Sequence, residues 1–205
     1  MYPELEIPFQ QNISEEFLTI VNQLRESEEP GRVFELSREP TKDELKFLTA
    51  YYKKEIALVR LRQKKDWKMI EGTYDSVTVP TIIDETSDIS THYHPLGVTL
   101  LTDAALPSLE DVIDITPNAE NFIITSEGLT YFSEIKKHPI TGSPWKPLTL
   151  EALVYVYKLF RNSDPNIDGN KSTESSFLNS MGITVVQKPW QRLPNNPFSG
   201  FNPNT

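Results

Sequence analysis

The chain has no cysteine. That absence rules out disulfides, thiolate metal sites and a cysteine nucleophile, and it leaves the redox compartment open. Long apolar runs are missing too; none approaches the roughly 18 residues that suggest a membrane span. The opening decapeptide MYPELEIPFQ has neither a basic start nor an apolar stretch, so no targeting segment is expected. Positive charge is in short supply. Lys and Arg number 20 against 29 Asp and Glu, a formal net charge of -9, and the sequence pI is about 4.9. This balance excludes a non-specific nucleic-acid or anionic-membrane binder. The densest basic cluster, Arg60 to Lys68, reads as a solvated strand edge or hairpin. A cytoplasmic protein is expected, or one secreted without a signal peptide.

What is present suits one compact domain with decorated ends. The chain has 205 residues, of which 38% are hydrophobic, enough for a core at this length. Ser14 reads as a helix N-cap followed by Glu15 and Glu16, with Phe17, Ile20, Val21 and Leu24 at helical spacing. Arg32 to Leu36 reads as a short strand. Thr41 and Glu44 form a capping-box pattern that opens a second helix, expected to run to Lys53. Then the period changes. Glu55 to Leu61, Trp67 to Ile70, Ser76 to Val79, Thr81 to Ile83 and Ile89 to His94 read as strands, with a polar turn at Asp84 to Asp88. Ser108 caps another helix. Asn121 to Thr125 and Leu129 to Phe132 form a hairpin, Lys136 to Pro147 a proline-rich loop, and Thr149 to Phe160 a further helix. Thr184 to Gln187 reads as a strand. The Pro- and Asn-rich stretch from Pro189 onward is either an ordered wrap or a disordered tail. This order predicts an α+β fold, a mixed β-sheet with packed helices.

The chemistry concentrates between Asp88 and Asp114. Two of the three histidines stand there as His92-Tyr93-His94. In an extended strand, residues i and i+2 face the same side, so both imidazoles would aim at one point. Zinc accepts two such nitrogens and a carboxylate oxygen, and keeps a fourth position for water when catalytic. Asp111 is the candidate for the oxygen. Plainer readings exist for each residue. Strand histidines are often only hydrogen-bonded or exposed, and Ser108 with Asp111 caps a helix without any metal. The same two residues can do both. A cupin-type site needs a carboxylate shortly after the second histidine, where Val98 stands. His138 lies in the proline-rich loop and reads as solvent-facing. Asp164 to Gly169 begins like a calcium loop, but the closing position holds Ser175, so a polar turn is the better reading.

His92-Tyr93-His94-Pro95 followed by Pro107-Ser108-Leu109-Glu110-Asp111 resembles the zinc motif of the JAMM (MPN-type) metallopeptidases, His-x-His-Pro and then Ser-x-x-Asp at a helix start. Gly72 to Pro80 resembles the strand before that family's histidine strand, and Asn121 to Tyr131 the hairpin after its metal helix. The likeness spans Thr41 to Phe132. It implies a JAMM/MPN-like (cytidine-deaminase-like) core over 41–162. An N-terminal helix and strand extension would occupy 1–40, and a C-terminal extension with a Pro/Asn-rich tail 163–205. It also implies that His92, His94 and Asp111 bind zinc, that Glu55 is the general base and that Ser108 donates to the oxyanion. The substrate would be a protein or peptide, ubiquitin-like conjugates included, with hydrolysis of a peptide or isopeptide bond. Some members lack the metal and only hold partners, so an inactive MPN-like protein-binding module is the alternative. The sequence departs from the family pattern in three places. Residues 96 to 107 lengthen the loop before Ser108, a segment expected to shape a groove or act as a lid. Tyr93 replaces a small hydroxyl residue. Ile56-Ala57-Leu58 replace the glycines that often follow the glutamate, which leaves Glu35 and Glu71 as other candidates for the base.

Overall fold

The computed structural model describes residues 12–26, 30–74, 76–93, 107, 111, 119–134, 176, 178–180, 182–199 and 201. Its elements in chain order are α1 (Glu15–Glu26), β1 (Val33–Leu36), α2 (Lys42–Tyr51), β2 (Ile56–Leu61), β3 (Trp67–Glu71), α3 (Thr81–Asp84), β4 (Ser87–Tyr93), β5 (Glu120–Ile124), β6 (Gly128–Glu134) and β7 (Ile183–Pro189), followed by a 3-10 turn at Trp190–Arg192. The described strands form one sheet in the order β1-β3-β2-β4-β5-β6-β7. Only β4 and β5 pair in parallel; the other neighbours are antiparallel. The fold is therefore α+β on a mixed sheet. The first and last strands come from the segments before residue 41 and after residue 162, so both chain ends contribute to the same sheet. The helix expected from Thr149 to Phe160, the loop 136–147 and the polar turn at 164–169 lie outside the described residues. Among the described residues no helix is long and apolar enough to cross a membrane.

The sheet has two unlike faces, because side chains alternate along each strand. Ile56 and Leu58 of β2, Trp67 and Met69 of β3, Ile89 and Tyr93 of β4, and Phe122 and Ile124 of β5 build the main core with Phe17, Val21 and Leu24 of α1 and Leu45 and Leu48 of α2. The opposite face carries Ala57, Val59 and Ile70, covered by Val77, Val79 and Ile83. That cover corrects the expectation of strands at 76–79 and 81–83. Residues 76–80 join no strand, and Thr81–Asp84 is a single helical turn. The alternating valines are real, but they lie across the sheet and not within it. Pro80 has no N–H to give a ladder, and its carbonyl instead accepts from Ile83 and Asp84 at 2.8 and 3.1 Å. Ser87 and Asp88, expected in a turn, already belong to β4. Helix α2 stops at Tyr51, short of Lys53, because Tyr52 turns extended at φ -108°, ψ 138°.

The stretch beyond Pro189 is an ordered wrap through Ser199. Trp190, Leu193 and Phe198 are buried in the main core, and the Trp190 indole donates to the Ser126 carbonyl at 3.0 Å. Glu39 accepts the backbone N–H groups of Phe198 and Ser199 at 2.9 and 3.0 Å. Backbone pairing of Lys42 N–H with the Asn195 carbonyl at 2.8 Å completes the clasp. A composition rich in Pro and Asn thus holds its place through three large apolar anchors and one carboxylate.

Glu44 joins the helix starts. Its capping box with Thr41 is formed, and its side chain is fully buried. The same carboxylate accepts from Ser14 N and Oγ at 3.1 and 2.7 Å and from both terminal nitrogens of Arg38 at 2.9 and 2.6 Å. Ser14 in turn caps α1 by accepting the Phe17 N–H at 3.2 Å. Burial by itself would push the Glu44 carboxyl up; the hydrogen bonds from Arg38, Thr41 and Ser14 outweigh it and hold the pKa below its ordinary value. A carboxylate that is more acidic folded than unfolded stabilises the fold above its unfolded pKa. That stability is lost as pH falls through the lower folded value. Breaking a buried pair costs about 3–5 kcal/mol, and the half-exposed Arg38 places this one near the lower figure. Glu44→Gln is expected to lower unfolding free energy by about 3 kcal/mol at pH 7 in urea titrations. It should also flatten the fall in stability that the wild type shows below about pH 4.5.

Candidate active site

Strand β4 sets the site. It buries Ser87, Ile89, Thr91 and Tyr93 and turns Asp88, Ser90 and His92 to the other face. Tyr93 is 1% exposed, and its hydroxyl donates to the Tyr52 and Thr49 carbonyls at 3.0 and 3.3 Å. Tyr93 therefore anchors the histidine strand to the end of α2. With Tyr93 inward, His92 points away from the main core, opposite Ala57 on β2 and Ile123 on β5.

One carboxylate meets this imidazole, and a second acts on it through its charge. Asp111, in helical conformation, places Oδ1 3.0 Å from His92 Nε2, and both side chains are mostly buried. Glu55 lies two residues before Ala57, on the His92 face by alternation. Burial works against the imidazolium, but the charge and hydrogen bond of Asp111 and the charge of Glu55 outweigh it and raise the His92 pKa above its ordinary value. One expected metal ligand, His92, and the expected carboxylate ligand, Asp111, are thus in contact. His94, Ser108, His138 and the segment 96–106 lie outside the described residues.

The other candidate glutamates stand elsewhere. Glu35 is on the edge strand β1, paired with Lys68, its side chain 82% exposed. Glu71 is buried at the end of β3, opposite Ile56 and so on the main-core face. Its carboxylate meets Arg32 Nε at 2.9 Å and Lys54 Nζ at 3.2 Å. Glu55 is the one of the three whose charge acts on His92.

The donor set fits a small, hard or borderline cation. Zinc holds nitrogen and carboxylate oxygen ligands about 2.0–2.1 Å away, so two of them at a tetrahedral angle lie about 3.3 Å apart. The His92–Asp111 separation of 3.0 Å is close to that value. Among the described residues no complete group of three or more His, Asp or Glu side chains is arranged to hold a metal ion. The third expected donor, His94, is not one of them. No family model, curated protein or solved structure matches the chain, so the site is argued from its own residues.

Gly72 does more than end β3. Its N–H donates to the Glu55 carbonyl at 3.0 Å, and the Glu55 N–H donates to the Thr73 carbonyl at 2.7 Å. A Cβ at Gly72 would meet Ser76 O at 2.4 Å, Glu55 O at 2.8 Å and Val77 Cβ at 2.8 Å. The glycine lets residues 76–77 pass close over the strand end that carries Glu55. A glycine just past a strand was the one signal of this in the sequence. Gly72→Ala should destabilise the fold by about 1–3 kcal/mol, the usual range for overpacking. Thermal unfolding measures the loss, and chemical shifts should move at Glu55 and Ser76 more than at α1.

Proposed function

We propose that the chain is a zinc-dependent hydrolase of JAMM type, acting on peptide or isopeptide bonds, with conjugates of ubiquitin-like proteins as the substrate class. The observation that carries this reading is the contact of Asp111 with one mostly buried imidazole, at 3.0 Å, on the face that Glu55 takes by alternation along β2. His92, His94 and Asp111 would hold the metal. When bound, zinc would polarise the scissile carbonyl and make water acidic enough to attack near neutral pH. Glu55, fixed at both backbone groups by Thr73 and Gly72, takes a proton from the attacking water and passes it to the leaving amine. Ser108 donates a hydrogen bond to the developing oxyanion.

Equilibrium dialysis against zinc is expected to give about one metal per chain, lost in His92→Ala and in Asp111→Ala. A quenched fluorescent pair of peptides joined through a lysine ε-amide should be cleaved by the zinc-loaded protein. Glu55→Gln should keep the metal and lose about 10²–10⁴-fold in kcat, the usual worth of a general base. A chain that binds no zinc, with stability unchanged in His92→Ala, would point to the metal-free binding module instead.

A further inference from the structure

The buried carboxylate at Glu71 has no place in the chemistry above, yet its charge is expensive to bury. Its side chain is fully enclosed and held by two cations, Arg32 at 2.9 Å and Lys54 at 3.2 Å. Ion clusters of this kind are seldom more stabilising than apolar packing of the same volume, so their use is better sought in geometry. Lys54 supplies the geometry. It directly precedes Glu55, and the two side chains go to opposite sides of the sheet. Lys54 reaches Glu71 on the main-core face, where Glu71 aligns with Ile56, while Glu55, two residues before Ala57, takes the His92 face by alternation. The strand residue after Glu55 is itself the partner of Glu71 in the ladder. The Glu71 strand end therefore grips the Glu55 peptide twice, through the backbone of Gly72 and Thr73 and through the Lys54 side chain.

We infer that Lys54 and Glu71 are positioning residues for Glu55, with the Lys54–Glu71 pair fixing the rotation of the strand entrance so that the base faces His92. This rests on the hydrolase reading. Arg32 provides the internal contrast. It binds the same carboxylate but arises from the segment before β1, and its side chain is more exposed, at 38% against 17% for Lys54. Losing Arg32 weakens the cluster without releasing the residue beside the base.

The test compares Lys54→Met and Arg32→Met in the zinc-loaded full chain, using the lysine ε-amide probe and amide hydrogen exchange. Lys54→Met is expected to lower kcat about tenfold at unchanged KM, since small misplacement of a catalytic group is costly in rate. It should also speed exchange at the Glu55 and Gly72 amides. Arg32→Met should lower the melting temperature by a similar amount while leaving kcat within about twofold and those amides protected. Equal losses of kcat in both variants, or unchanged exchange at Glu55 in Lys54→Met, would overturn the inference and reduce the cluster to a stability device. Those outcomes leave the hydrolase reading intact provided Glu55→Gln still abolishes cleavage. A wild-type protein that does not cleave the probe, or a Glu55→Gln variant that does, removes the hydrolase reading and this inference with it.

Discussion

The register of β4 is the constraint on which the site depends. Side chains on a strand alternate strictly, so a slip of one residue would carry His92 into the main core and Tyr93 out of it. Tyr93 prevents the slip. Its ring fills the core while its hydroxyl finds two backbone carbonyls at the end of α2. Pairing with β2 on one side and β5 on the other then fixes where His92 stands along the sheet. The helix end and the candidate metal ligand are thus coupled through a single residue between the two histidines.

Local signals were legible in the sequence and long-range ones were not. The Thr41–Glu44 capping box, the Ser14 cap and most strands follow from side-chain chemistry within a few residues, and the structure contains them. The segment 76–83 shows where such reasoning stops. Alternating apolar residues signal one buried side, but they do not say whether the chain hydrogen-bonds into a sheet or lies over it. Only the prolyl break at Pro80 hinted at the second. For the stretch beyond Pro189 the sequence left an ordered wrap and a disordered tail both open, for a related reason. Its composition suggests little cohesion, yet cohesion comes from Trp190, Leu193, Phe198 and a carboxylate some 160 residues earlier in the chain, Glu39. Of the site, the pattern around His92 and Asp111 could be read from spacing. The choice among Glu35, Glu55 and Glu71 could not, because it depends on which strands are neighbours and which face each residue takes.

Those three glutamates, with Glu44, also show how an acidic chain separates structural from chemical charge. Glu44 and Glu71 are buried deeply, and each is matched by guanidinium, ammonium or hydroxyl and amide donors from elsewhere in the chain. Matched in this way, a carboxylate fixes geometry and asks for nothing further. Glu35 sits in solvent, where pairing with Lys68 is worth little.

At His92 the arrangement runs the other way. Carboxylates are brought to an imidazole, and they raise its hold on a proton against the opposing effect of burial. An imidazole whose pKa is raised by folding adds stability while it is protonated, and that contribution fades as pH rises through the raised value. Among the charges that act on His92, those from Asp111 and Glu55 are both negative. Glu55 and Asp111 thus favour a positively charged imidazole, the same sign of charge that the proposed metal would bring.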